Sequence, residues 1–308
     1  MWWYVGKRLL QTIPVILGAT LLIYMMVFAQ PGDPITALFG EKPVSDSVRA
    51  QLMEQYNLDK PLIVQWLLFL KGAITLDFGM SFSGQPVIDM VARAFPVTFK
   101  LALVALVLEA ILGVAAGFYA GMRRGKLFDS TMLVVSLVVI AVPIFVLGFV
   151  FQLVIGIQWD LLPALASGNA SFYDLLLPGI VLGLVSFAYV LRLTRTSVIE
   201  NLTADHVRTA RAKGLPAAVV NRRHVLRNSM IPVVTFLGAD LGMLMGGAIV
   251  TERIFNVPGV GNLAYNAVLR GETPTIVSVV TILVLVYVFT SLLVDLLYAL
   301  LDPRIRYA

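Results

Sequence analysis

Long apolar runs separated by short charged segments dominate this chain. A bilayer core of ~30 Å takes ~20 largely apolar helical residues. Six stretches meet that requirement: Leu9–Ala29, Phe99–Met122, Ser130–Ile157, Leu175–Leu193, Met230–Thr251 and Thr275–Leu300. The third has no charge between Asp129 and Asp160, and the fourth is the shortest, with 17 uncharged residues from Leu175 to Leu191. The pattern predicts an all-α polytopic membrane protein of about six transmembrane helices. Two intervening segments, Gln30–Pro96 and Arg195–Arg227, are longer than connectors need to be. The first holds Pro61–Leu70, ten largely apolar residues ending at Lys71. That stretch is too short to span and reads as an interfacial or re-entrant helix. Trp66 within it suits a membrane–water boundary.

Composition strengthens the membrane reading. Apolar residues make up 59% of the 308 residues and charged residues 13%, against roughly 25% charged in soluble domains. There is no cysteine, which excludes disulfides, thiolate metal sites and a cysteine nucleophile. Leu9–Ala29 is too long, and too poor in a small-residue cleavage site, for a removed signal peptide, so it is expected to remain as the first span.

Lys and Arg set the orientation. With the N-terminus inside, the inner segments hold Lys7, Arg8, Arg123, Arg124, Lys126, Arg192, Arg195, Arg208, Arg211, Lys213, Arg222, Arg223, Arg227, Arg304 and Arg306, or 15 of 23 basic residues. Both termini are therefore expected in the cytoplasm, with Gln30–Pro96 outside. The net charge of +5 is accounted for by topology and attraction to anionic lipid and calls for no nucleic acid.

Few motifs point to chemistry. No GxxxxGK[ST] sequence occurs, so this chain has no phosphate-binding loop of that kind. Gly259, Gly261 and Ala264 match a dinucleotide pattern but lie in a turn between membrane helices rather than in a βαβ unit. His206 and His224 sit in the basic segment with no Ser–His–acid set around them. Asn169-Ala170-Ser171 matches a three-residue glycosylation sequon that arises readily by chance. No catalytic or metal-binding residue is expected.

Glycine spacing is more informative. Gly113, Gly117 and Gly121 recur every four residues in the second span, and Gly238, Gly242 and Gly246 do so in the fifth. Small residues at this spacing let membrane helices approach closely, with a hinge as the alternative. Asp240 sits mid-span, where a charge costs at least ~2.5 kcal/mol, about 160° around the helix from its glycine stripe. It is expected to face a water-filled path or a buried polar contact, and Glu109, at similar depth in the second span, shares that choice. Asp295 lies near the inner end of the last span, within reach of Arg304 or Arg306. In the basic segment, Thr203 is expected to cap a helix over Ala204–Lys213, with Asp205 in its first turn and Arg211 and Lys213 in its last. Gly214 then occupies the left-handed position after the helix, and Pro216 opens a second helix.

These residues resemble the permease subunits of ATP-binding cassette importers for dipeptides, oligopeptides and, in related members, nickel. The likeness runs through Gly6-Lys-Arg-Leu-Leu10, Pro31-Gly-Asp-Pro34, Leu58-Asp-Lys-Pro61 to Gln65, Asp77-Phe-Gly-Met-Ser81 and Pro86-Val87. It is most specific at Val207-Arg-Thr-Ala-Arg-Ala-Lys-Gly214, His224-Val-Leu-Arg-Asn228 and Ile231-Pro232, and ends with Asn256-Val-Pro-Gly-Val-Gly261 and Leu300-Leu-Asp-Pro-Arg-Ile-Arg306.

The resemblance implies a type I importer permease in the plasma (inner) membrane. It implies as partners a second homologous permease subunit, two cytoplasmic ATPase subunits that hold ATP and Mg, and an extracytoplasmic substrate-binding protein. It further implies that this chain binds no cofactor and performs no chemistry. Residues 201–228 become the coupling loop, with Asp205, Arg208, Thr209, Ala210, Lys213, Gly214 and Leu215 toward the ATPase. Against the family pattern Glu-Ala-Ala-x-x-x-Gly, Arg208 and Thr209 replace the first two residues while Ala210 and Gly214 match. Asp240 and Glu109 are expected along the translocation path. The expected divisions are 1–29 (tail and first span), 30–96 (external region), 97–301 (permease domain with coupling loop 195–228) and 302–308 (cytoplasmic tail). A permease for nickel or another small solute, or a stand-alone secondary transporter, are the alternatives.

Overall fold

The computed structural model describes residues 2–28, 45–55 and 57–301. The Pro31–Pro34 turn and the tail after Leu301, including Arg304 and Arg306, lie outside them, as does the side chain of Asp295. Among the described residues the regular structure is helical, with one isolated bridge between Met80 and Pro86. Among the described residues five helices are long and apolar enough to cross a bilayer: Gly6–Phe28, Val87–Met122, Leu176–Thr203, Ala217–Gly246 and Thr273–Val294. A bent pair, Leu127–Ala141 and Ile144–Gln158, makes a sixth if taken as one span. The chain divides into two compact units, Met1–Thr98 with Pro258–Ala308, and Phe99–Val257.

The first unit is built from α1 (Trp2–Phe28), α2 (Asp46–Gln55), α3 (Leu62–Ile74), the opening of α4 (Val87–Met122), α11 (Val260–Leu269) and α12 (Thr273–Leu301). The apolar stretch expected at the membrane surface is α3, and it packs on α1. Tyr24 Oη donates to Gln65 Oε1 at 3.2 Å, and Trp66 Nε1 donates to Thr20 Oγ1 at 3.3 Å. The Trp66 indole is thus hydrogen-bonded to the first span.

After α3 the chain turns back through Asp77–Ser81. Asp77 N–H donates to Gly72 O, Gly79 N–H to Asp77 Oδ1, and the Ser278 hydroxyl to Phe78 O at 2.8 Å. Gly79, at φ +77, takes a left-handed conformation that glycine adopts without steric cost. Phe78, Val87, Val91 and Ala94 then pack with Val260, Ala264, Val279 and Ile282. Helix α4 is longer than the expected second span: it begins at Val87 and passes through Pro96. At ~1.5 Å per residue its 36 residues run about 54 Å, well beyond the apolar thickness. The division expected at 96/97 falls inside it.

The second unit holds the rest of α4, α5 (Leu127–Ala141), α6 (Ile144–Phe151) with a wide π turn at Gln152–Gln158, α7 (Leu176–Thr203), α8 (Asp205–Ala212), α9 (Ala217–Val219) with a second π turn at Val220–Leu226, and α10 (Arg227–Ile254).

The stretch expected as an unbroken third span bends by 105° between α5 and α6. Pro143 is the cause: proline has no N–H to donate, and its ring drives the preceding residue out of the α region. Val142 is accordingly extended, at φ −88 and ψ 126. Pro143 then serves as the N-cap of α6, where a missing donor costs nothing. Gln152 secures the far end by donating to Ala164 O and Ile254 O, both at 2.9 Å.

Candidate functional site

Three places in the second unit gather the residues singled out from sequence. The first is the contact of α4 with α7. A Cβ on Gly113 would sit 2.8 Å from Val190 Cγ1, one on Gly121 2.8 Å from Val198 Cβ, and one on Gly117 would overlap the Leu191 carbonyl oxygen. The partner helix contributes small residues as well: a Cβ on Gly183 would lie 3.0 Å from Ala105 O, and one on Gly179 2.6 Å from Val104 Cγ1. Gly179 and Gly183, spaced by four, carried the same signal in the sequence and were missed.

The fifth-span glycines behave differently. Gly238 is half-buried, Gly242 buried and Gly246 exposed, and a Cβ on Gly246 meets nothing within 4 Å. They do not form a continuous packing ladder inside this chain. The buried side of α10 runs through Val233, Asp240, Leu244 and Ala248, which at 100° per residue leaves Gly246 on the opposite side.

The second place is the pair Glu109 and Asp240. The fold brings these two carboxyls together, from α4 and α10, with the Ser186 hydroxyl of α7 beside Glu109. Glu109 is 2% exposed and Asp240 3%. Both Glu109 oxygens and Asp240 Oδ2 have no hydrogen-bond partner among the described residues. One turn away Tyr189 packs on Phe236, ring centroids 6.2 Å apart, and the Arg192 guanidinium lies over the Tyr189 ring.

The third is the basic segment. Thr203 does not cap α8. It is the last residue of α7, where its hydroxyl donates to Glu200 O at 3.0 Å, and Ala204 is the N-cap, without a side-chain bond. The helix thus starts at Asp205, because α7 carries its own regular structure through the residue expected to interrupt it. Gly214 does take the left-handed conformation, at φ +74. Its N–H donates to Arg211 O and that of Leu215 to Ala210 O, the paired bonds of a Schellman turn. Pro216 is the N-cap of α9, which continues through the second π turn into α10.

Ala210 and Val207 are buried with Val198, Val220 and Val225, so Ala210 is part of the core beneath the helix. Asp205, Arg208, Thr209, Lys213 and Leu215 are exposed, and Arg208 forms an open ion pair with Asp205 at 3.7 Å. His206 Nε2 lies 2.9 Å from Asn228 Nδ2 and within hydrogen-bonding reach of His224 O.

One polar contact had no precedent in the sequence reading. Asp129, at the start of α5, is 2% exposed. It takes both Nε and Nη2 of Arg195 from α7, the latter at 2.8 Å, and accepts from Gly125 N–H at 2.8 Å. Asp129 looked only like the edge of a span, and nothing in linear spacing joins residues 66 apart. The dinucleotide-like glycines end in another use: Val260 N–H, at the start of α11, donates to Thr98 Oγ1 at 2.8 Å.

Comparison with known proteins accounts for nearly the whole chain. A family described as binding-protein-dependent transport system inner membrane component matches residues 113–307, and one described as the N-terminal part of such membrane components matches residues 1–102. The dipeptide transport system permease protein of Escherichia coli (strain K12) is 34% identical over 334 residues, covering 99% of this chain and 98% of that one. The glutathione transport system permease protein of the same strain is 37% identical over 306 residues, covering 99% of each. A dipeptide transport system permease protein of Alkalihalophilus pseudofirmus is 33% identical over 331 residues, again 99% of each. On a match that covers well over half the sequence, joined to relatives alike from end to end, the chain belongs to the family of binding-protein-dependent transport system inner membrane components.

Proposed function

We propose that this chain is one of two permease subunits of an ATP-driven importer and that its cargo is a di- or oligopeptide. The observation that carries this reading is likeness along the whole chain to permeases named for a dipeptide and for glutathione, itself a small peptide. The subunit lies in the plasma membrane with both termini in the cytoplasm, in accord with the distribution of Lys and Arg. ATP and Mg are held by two cytoplasmic ATPase subunits, and cargo arrives on an extracytoplasmic binding protein.

In this reading α8 is the coupling helix. Asp205, Arg208, Thr209, Lys213 and Leu215 form its contact face, while Ala210 and Gly214 set its seat and its turn. The seat is firm because Val207 and Ala210 are sunk among Val198, Val220 and Val225, so a push on α8 reaches α7 and the π turn that leads into α10. The second permease subunit covers the exposed apolar stripe of α10, where Ile231, Val234, Met243 and Val250 are 67%, 52%, 53% and 42% exposed; Gly246 lies on the same side. Glu109 and Asp240 stand on the other, buried side of α10, between helices of this subunit, and Gln30–Pro96 receives the binding protein, with α3 braced on the first span.

The test is uptake of a labelled dipeptide into proteoliposomes bearing the chain, a second permease subunit, the two ATPases and the binding protein. Uptake should require ATP and every component. Uptake driven by an ion gradient with the ATPases left out would make the chain a secondary transporter, and uptake of nickel but no peptide would overturn the cargo.

A further inference from the structure

The carboxyls of Glu109 and Asp240 raise a physical problem that the transport reading does not address. A carboxylate has oxygens that only accept. Two ionised carboxylates facing each other would repel. The Ser186 hydroxyl is the one donor named beside them, three sealed oxygens accept no hydrogen bond among the described residues, and each charge at such depth costs several kcal/mol. Among the described residues no cation sits beside them. On the part of α4 in this unit, Lys100 is nine residues from Glu109 and Tyr119 ten, roughly 13 Å or more along the helix. On α7, Arg192 is engaged with Tyr189 and with Ala188 O, Arg195 with Asp129, and Glu200 lies beyond both. On α10, Arg227, Glu252 and Arg253 are twelve or more residues from Asp240, roughly 18 Å or more, and Arg222, Arg223 and His224, on the π turn packed against α10 and α7, precede it by sixteen or more residues. The α5 and α6 segments packed on α7 bring only Asp129, which Arg195 holds.

We propose that Glu109 and Asp240 are a binding site for one shared proton, held as an O–H from one carboxyl to the other, which fastens α4 to α10. The proton supplies the missing donor and removes one of the two charges, so both objections to the closed pair vanish together. It also ties proton binding to helix arrangement. If the helices part and water enters, both groups ionise and the proton leaves, so the closed arrangement binds more protons than the open one. By linkage, rising pH favours the open arrangement and falling pH the closed one. The site depends on no particular cargo.

Infrared difference spectra of the full-length chain in liposomes test this directly, comparing wild type with Glu109→Gln and with Asp240→Asn at neutral pH. A carboxylic-acid C=O band present in wild type and lost in each variant is the expected result. Loss of carboxylate bands alone would overturn the proposal. Thermal unfolding provides a second reading. The wild-type midpoint should fall between neutral and alkaline pH, and Asp240→Asn, whose amide supplies a permanent donor, should lose that fall. A variant that keeps the wild-type pH dependence would sink the idea. So would a wild-type midpoint that rises with sodium or potassium at fixed pH, since the pair would then hold a metal cation. Should Glu109→Gln not fold, the Asp240→Asn comparison decides alone.

Discussion

At the scale of single residues, similar side chains have opposite value according to what lies across from them. Gly117 and Gly246 both sit in glycine ladders spaced by four, yet a Cβ on the first runs into the Leu191 carbonyl and Thr194 while one on the second meets open space. Gly117→Val should therefore destabilise the isolated chain by about 1–3 kcal/mol through overpacking, whereas Gly246→Val should leave its thermal midpoint in detergent unchanged. Equal midpoints would reject the packing difference. Asp129 offers a second contrast. Its carboxylate neutralises a guanidinium that is itself largely buried, and breaking such a pair by removing one partner costs about 3–5 kcal/mol. Asp129→Asn should unfold the chain at markedly lower temperature. Replacing both residues with leucine should recover much of the loss, because an apolar pair leaves no stranded charge. A double variant no better than the single one would show that Asp129 matters for its bond to Gly125 instead.

Among the elements, two short devices shape the second unit. Pro143 breaks an apolar run of more than 25 residues that hydropathy alone joins into one helix. Pro143→Ala restores a donor and frees Val142 to become helical, so α5 and α6 should straighten. Spin labels at Val135→Cys and Val150→Cys, both exposed, would report it: a continuous helix sets their Cα atoms ~22 Å apart, longer than across a 105° bend. No change in distance would mean that the ties from Gln152 hold the bend without the proline. Gly214 is the second device. At φ +74, an alanine costs about 1–2 kcal/mol of backbone strain, enough to shift α8 without unfolding the unit. Gly214→Ala should permit assembly with the ATPases but lower the cargo moved per ATP hydrolysed. An unchanged ratio would argue that α8 keeps its seat through Val207 and Ala210 alone.

For the whole molecule, orientation is the property that most needs a direct measurement. The chain has no native cysteine, so single introduced ones can be labelled cleanly. Ser47 is exposed on α2 and Thr209 on α8, whereas Ser197, in the same basic region, is 7% exposed and would label poorly from either side. An impermeant maleimide added to intact cells should label Ser47→Cys and leave Thr209→Cys untouched until the membrane is opened. The reverse pattern would invert the topology.

The apolar runs determined by themselves that this chain is helical and crosses a membrane about six times, because solvation of a backbone by lipid leaves little alternative. The left-handed turn at Gly214 and the close-packing role open to Gly113, Gly117 and Gly121 were likewise legible, since each depends on nearest neighbours along the chain or on helical period. Pro143 was just as visible, but an uninterrupted run of hydropathy masked what its missing N–H and bulky ring would do. Other features required the tertiary structure. Whether Gly246 meets a neighbour depends on which side of α10 the fold covers. That Asp129 pairs with Arg195, and that Glu109 and Asp240 share one buried spot rather than lining separate places, depends on how helices distant in sequence stand against one another. Spacing in the chain fixes which residues share a face of one helix, but carries no information about what another helix will bring to it.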